Sequence, residues 1–322
     1  MIIKERKAPI KLHKLDALRR RLPKTHPKQS LIEEELAKNK AGYQGEQSLD
    51  YYLSFLPSNY HILHDVRLQN QGHYFQMDTI IATPSFILIL EIKNFAGTIY
   101  FDHIFNQLIR TIEGVEERFP DPLLQVNRQR NQLMKWLLAN NYPAIPIETA
   151  VVISNPNTII KASTNNPQFT SKIVHSEYLY HRVIEIKNNH KRDILTDKAI
   201  DKLSTSLTNA HVPSNPNIMQ TLKIEEVELL KGVHCPSCLF IPMKRGGRKW
   251  ICPSCKYTSN DAHMDTIKDY QLLLRPTITN KQLREFLSLS SVTTASSIIK
   301  SLNLDYYGEN RGRTYKLQLI DN

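Results

Sequence analysis

The segment Phe-Ile-Leu-Ile-Leu-Glu-Ile at 86–92 constrains this chain more than any other. It is apolar at odd and even positions alike, so as a strand it must be covered on both faces. Such a strand sits inside a sheet with helices on either side, which is an α/β architecture. The flanking sequence agrees. Residues 60–68 and 74–82 read as strands before it, and 97–102, 105–111 and 148–154 as strands after it. A helix is predicted from Ser30, with Glu33, Glu34 and Glu35 in its first turn, and a second over 43–55. Further helices are predicted over 121–138, 177–188 and 196–209.

At 322 residues, with 41% apolar side chains, the chain is long enough for two or three folded parts. The first residues, Met-Ile-Ile-Lys-Glu-Arg-Lys, hold no apolar leader stretch, and no run is long enough to span a bilayer. The expected location is the cytoplasm, away from membranes. The net charge is +11, unevenly spread. Residues 1–40 hold 12 Lys/Arg against 5 Asp/Glu, and residues 231–322 hold 14 against 7. Basic ends on an acidic centre suit a polyanionic partner such as nucleic acid, although solvated faces would account for the same charges.

The candidate chemistry lies in the hairpin made by 74–82 and 86–93. With Pro84 and Ser85 at the centre of its turn, cross-strand partners have numbers summing to 169. Asp78 then stands opposite Glu91, while Glu91 and Lys93, two apart, share a face. Two carboxylates and a lysine at one strand end make a hard oxygen site for Mg²⁺ or Mn²⁺. Such an ion activates water and neutralises charge growing on a phosphate, and Lys93 would assist at the same place. The plainer reading is a surface ion pair in an ordinary hairpin. Against it stands the position of Glu91 and Lys93, at the end of a strand buried on both faces, where open α/β sheets place their sites.

Four motifs in order carry a resemblance. They are Gly42-Tyr-Gln-Gly-Glu46, Gln76-Met-Asp78, Leu90-Glu-Ile-Lys-Asn-Phe-Ala-Gly97 and Asp121-Pro-x-x-Gln125. Over about 42–154 the chain resembles the nuclease-related domain (NERD) family of the PD-(D/E)XK nuclease superfamily. The resemblance implies a restriction-endonuclease-like core, a mixed central sheet flanked by helices. It makes Asp78 and Glu91 the metal ligands and Lys93 the catalytic lysine. Glu46 becomes an accessory acid near the metal, and Gln125 a helix residue pointing into the site. Asp121 stands where the family often has Asn, a change that bears on the helix cap more than on the chemistry.

Cys235-Pro-Ser-Cys238 and Cys252-Pro-Ser-Cys255 are two knuckles able to close one tetrahedral Zn²⁺ site. Four thiolates leave no open position, so this zinc is structural, and His234 and His263 are bystanders. The basic turn between the knuckles offers Arg245, Arg248 and Lys249 to phosphates.

The tail reads as helix, turn, helix and hairpin, similar to a winged helix. Thr293, Thr294, Ser296, Ser297 and Lys300 would meet DNA from the second helix, with Arg311 and Arg313 on the wing. A homodimer through this part is the other common use of such a module. The expected organisation is a basic arm and helix at 1–41, the nuclease-like domain at 42–212, a connecting helix at 213–230, a zinc ribbon at 231–260 and a winged-helix-like α+β domain at 261–322. The expected function is Mg²⁺-dependent hydrolysis of phosphodiester bonds, in DNA before RNA. The alternative is a latent or non-cleaving DNA-binding or regulatory protein on a nuclease-like core.

Overall fold

A computed structural model describes residues 1–319. Contacts divide the chain into two units, one of residues 1–8 and 40–214, the other of residues 9–39 and 215 onward.

The first unit is built on a six-stranded mixed sheet. Its strands are β1 Ile2–Lys4, β2 His61–Asn70, β3 His73–Ala82, β4 Ile87–Lys93, β8 Ile147–Ile153 and β10 Ile173–His175, in the order β1-β2-β3-β4-β8-β10. The β2–β3 and β3–β4 pairs are antiparallel, while β1–β2, β4–β8 and β8–β10 are parallel. A second sheet joins β5 Thr98–Asp102, β6 Gln107–Ile112, β7 Val115–Pro120 and β9 Ile159–Ala162.

The segment at 86–92 explains the layering. Ile87 and Ile89 enter one core with Leu133, Trp136 and Leu137 of the helix Pro122–Ala139 and Ile200, Leu203 and Leu207 of the helix Asp197–Asn209. Phe86, Leu88, Leu90 and Ile92 enter another with Leu49 and Leu53 of the helix Gln29–Leu53 and Val183 and Ile186 of the helix Leu179–Asn189. The central strand is therefore buried on both faces, as its pattern requires. The β3–β4 register runs from Ala82↔Ile87 to Thr79↔Leu90, the predicted sum of 169. Its turn is held by Thr83, whose Oγ1 accepts from the backbone N–H of Phe86 at 3.0 Å.

Three expectations change. The helices read separately from Ser30 and over 43–55 are one helix, Gln29–Leu53. Gly42, just outside the second predicted helix, lies within this one, as does Gly45. Residues 1–4 do not trail as an arm, because Ile2–Lys4 pairs with β2. The helix expected up to residue 230 stops early, at Ile218–Thr221, followed by a 3₁₀ turn Glu226–Glu228. Lys223 adopts φ 52° between them, which ends the first helix.

In the second unit, β11 Lys244–Gly246, β12 Lys249–Ile251 and β13 Thr258–Ser259 form a small antiparallel sheet beside the cysteines. Cys235, Trp250 and Cys252 share one core with Ile267, Leu283, Phe286 and Ile298 from the helices His263–Leu273, Asn280–Leu287 and Val292–Ser301. Thr279 and Gln282 close a capping box on the second of these. Strands β14 Thr277–Thr279, β15 Tyr306–Tyr307 and β16 Thr314–Lys316 complete the tail.

Arg21, one of the basic residues of the N-terminal end, is wholly buried here. Its Nε donates to Asp269 Oδ2 at 2.8 Å and its Nη1 to the carbonyl of Gly232 at 2.6 Å. Arg20 takes the other Asp269 oxygen at 2.7 Å. Part of the N-terminal positive charge is thus spent inside the unit, since a buried guanidinium requires such partners.

Candidate active site

Three elements of the first unit meet at the C-terminal end of β4. The strand supplies Glu91, 2% exposed, and Lys93. The helix Pro122–Ala139 supplies Gln125 and, one turn later, Gln129. Asp121 caps that helix, accepting from the N–H of Leu123 at 2.7 Å, and Pro122 occupies its first position. Asp121 therefore serves as the N-cap of this helix.

Lys93 Nζ donates to Glu91 Oε1 at 2.6 Å and to Gln125 Oε1 at 3.2 Å. Gln129 Nε2 donates to Glu91 Oε2 at 2.8 Å. Asp78 Oδ2 accepts the backbone N–H of Ile92 at 2.8 Å, which bridges β3 to β4 one step beyond their last paired rung. Burial, then the Glu91 and Glu46 carboxylates, push the Asp78 carboxyl well above its ordinary range.

Glu46 arrives on the helix Gln29–Leu53, and Gly45 lets it arrive. A Cβ at residue 45 would lie 2.6 Å from both Asn94 Cβ and Ser154 Oγ, so only glycine allows the helix this close to the end of β4. Burial raises the proton affinity of Glu46, with Asp65 and Glu91 adding to the effect and Arg6 opposing it.

The five residues read as catalytic, Glu46, Asp78, Glu91, Lys93 and Gln125, thus lie in one neighbourhood. The sequence reading missed three others. Gln129 was detectable as the residue one helical turn after Gln125. Asp65 sits where the β2–β3 ladder skips a rung between His64↔Thr79 and Val66↔Met77, at φ 51° and level with Asp78. No pattern signals such a skipped rung. Arg6, whose Nη1 meets Glu46 Oε2 at 2.8 Å, carries no local signal either.

The donor set suits a hard divalent cation. It is made of carboxylates, and the raised proton affinity of Asp78 marks negative charge that a cation would compensate. Gln129 Oε1 is a buried acceptor without a partner among the described residues.

The cysteines are tighter. All four Sγ atoms lie within 4.8 Å of one another, with Cys235–Cys255 and Cys238–Cys252 both at 3.6 Å. A tetrahedron of thiolates around zinc has edges of about 3.8 Å, so the cluster is compatible with a zinc ribbon. His234 and His263 are engaged elsewhere. His234 Nδ1 lies 3.0 Å from Arg21 Nη2, and His263 Nδ1 accepts from Trp250 Nε1 at 3.1 Å.

Of the basic candidates, Arg248, Lys249 and Lys300 are exposed. Arg245 lies over the Trp250 ring at 4.8 Å and Arg313 over the Tyr306 ring at 4.3 Å. The side chain of Arg311 lies outside the described residues. No helix among those described is long and apolar enough to cross a membrane.

A comparison with curated proteins found no match. A family model described as the nuclease-related domain matches residues 41–154, the stretch that holds Glu46, Asp78, Glu91, Lys93 and Gln125. Over those residues the chain carries a NERD domain.

Proposed function

We propose that the chain is a Mg²⁺- or Mn²⁺-dependent nuclease that hydrolyses phosphodiester bonds, with DNA as the first substrate to test. The observation that carries this reading is the position of Lys93, held between Glu91 and Gln125 beside the electrostatically crowded Asp78. Asp78 and Glu91 would hold the ion, with Glu46 as a third acid nearby. Bound there, the ion supplies an acidified water and a positive charge beside the phosphate. The chain's own residues do the rest. Lys93 stabilises negative charge at the phosphoryl oxygens, Gln125 sets its direction, and Gln129 fixes the Glu91 carboxylate.

Recruitment falls to the second unit. Arg248 and Lys249 on the β11–β12 turn would contact phosphates, with Arg245 stiffening that turn against Trp250. The helix Val292–Ser301 exposes Thr293, Ser297 and Lys300, as the second helix of a winged helix would, with Thr294 and Ser296 half-buried beside them. Arg311 and Arg313 fall on the wing. The four cysteines would hold a structural zinc. We assign the protein to the cytoplasm.

The test is a cleavage assay on single-stranded, double-stranded and circular DNA, and on RNA, with and without Mg²⁺ or Mn²⁺. Cleavage should need the ion and should vanish in Asp78→Ala and Lys93→Ala. Undiminished cleavage by either variant would exclude this mechanism. One observation favours a second reading, a latent binding protein: Lys93 is clasped by Glu91 at 2.6 Å. Gel-shift binding with no cleavage under any metal would establish it.

A further inference from the structure

Residues 2–6 reach the site from outside the span that the family model matches. β1 lies along β2, and Lys4 Nζ then donates to the carbonyls of His64 at 2.9 Å and Asp65 at 3.0 Å. This fixes the chain at the skipped rung level with Asp78. Two residues on, the Arg6 side chain turns inward and is 3% exposed.

Its guanidinium joins three elements. Nη1 donates to Glu46 Oε2 at 2.8 Å, and Nη2 donates to Asp50 Oδ1 at 3.2 Å. Those acids lie one turn apart on the same helix. Nη2 also lies 2.8 Å from His64 Nδ1 and 3.3 Å from Thr79 Oγ1. His64 and Thr79 are cross-strand partners, and Thr79 adjoins Asp78. A single planar fork therefore ties the helix that bears Glu46 to the strands beside Asp78. Lysine, with one point of charge, could not span these partners. The Glu46 side chain is 25% exposed, so without this hold it has an open route to water.

We propose that Arg6 is a positioning residue of the site, holding Glu46 toward Asp78 and Glu91 as the third anionic group around the divalent ion. The proposal rests on the metal-dependent reading above and extends it to a residue outside the matched domain.

The test is calorimetric titration of Mn²⁺ into the zinc-loaded full chain and into Arg6→Gln, Arg6→Lys, Glu46→Gln and the double variant Arg6→Gln/Glu46→Gln, with thermal unfolding of each. Arg6→Gln should weaken Mn²⁺ binding roughly tenfold, in line with losses of outer-shell support at metal sites. Arg6→Lys should recover part of that loss. The double variant should bind no more weakly than Glu46→Gln alone, because Arg6 acts through Glu46. A lower Tm with unchanged or tighter Mn²⁺ binding in Arg6→Gln would reduce Arg6 to a structural role and overturn the proposal. So would losses that multiply in the double variant. If Arg6→Gln does not fold, Arg6→Lys decides: wild-type affinity there overturns the proposal, and a weakened affinity that disappears in the Glu46→Gln background supports it. A wild-type chain that binds Mn²⁺ yet cleaves nothing would refute the nuclease reading alone, whereas one that binds no Mn²⁺ would remove both.

Discussion

Gln129 directs its amide at Glu91, with Nε2 donating to Oε2 at 2.8 Å and also to the carbonyl of Gln76 at 2.9 Å. Glu91 is almost fully buried, so this donor replaces water that the carboxylate has lost. Gln129→Leu would leave a buried oxygen unpaired, at a cost of about 1–3 kcal/mol. It should also lower cleavage about tenfold or more by freeing the carboxylate to rotate. Gln129→Glu should be worse on both counts, since it sets a like charge against Glu91. Urea unfolding and initial cleavage rates measure the two effects. Wild-type values for Gln129→Leu would mean that Lys93 alone orients Glu91.

The crowding at Asp78 predicts a pH-dependent stability. Its carboxyl is raised in the folded state, so the folded chain holds a proton that the unfolded chain has released. Stability therefore falls as pH rises from the ordinary carboxylate range through the raised folded value, and the full penalty stands above it. Metal-free Asp78→Asn removes that penalty. It should be more stable than wild type at neutral pH, with the gain vanishing in acid below the ordinary range. Mn²⁺ should narrow the difference by stabilising only the wild type. Thermal unfolding across pH, with and without Mn²⁺, checks both statements. A stability gain for Asp78→Asn that is independent of pH would contradict this account.

How much of this was legible in the sequence follows from the range of each signal. The strand at 86–92 announced its burial on both faces, and the turn at Thr83 carried the register of Asp78 against Glu91 with it. Both are local signals. Gln125 was reached through the order of motifs, because no spacing rule connects a helix residue at 125 to a strand residue at 93. The pairing of Arg6 with Glu46 spans 40 residues of chain. It depends on β1 joining the sheet, and three residues of strand are too few to show a period. Asp65 depends on a skipped rung, which leaves no periodic trace. The continuity of Gln29–Leu53 was hidden for a different reason: its two glycines resemble punctuation, although one of them serves close packing.

Those glycines should respond in opposite ways. A Cβ added at Gly42 would meet nothing within 4 Å, so Gly42→Ala gains helix propensity and should stabilise the first unit by up to about 1 kcal/mol. Gly45→Ala gains the same propensity but drives a methyl against Asn94 and Ser154. Overpacking of that kind costs about 1–3 kcal/mol, so the clash wins. The shift of the helix away from β4 should also lower cleavage, through the displaced Glu46. Denaturant midpoints for the two variants should bracket the wild type. If Gly45→Ala proves as stable and active as Gly42→Ala, the close approach is not required.

Zinc removal should act on the second unit as a whole. Cys235 and Cys252 are buried in the same core as Trp250, Ile267, Leu283 and Phe286, so the ribbon has no separate interior to lose. Stripping the ion would leave four thiols, two of them buried in that core, without the bond that orders them, and folding in such sites is coupled to metal binding. Among the chain's two tryptophans, Trp250 belongs to this core and Trp136 to the core of the first unit. In Trp136→Phe, a strong chelator should therefore shift the emission of Trp250 to the red and abolish the cooperative unfolding of the second unit, and added Zn²⁺ should restore both. In Trp250→Phe, the emission of Trp136 should barely change. An unshifted Trp250 after complete removal of zinc, verified by metal analysis, would show that the apolar core alone holds the ribbon together.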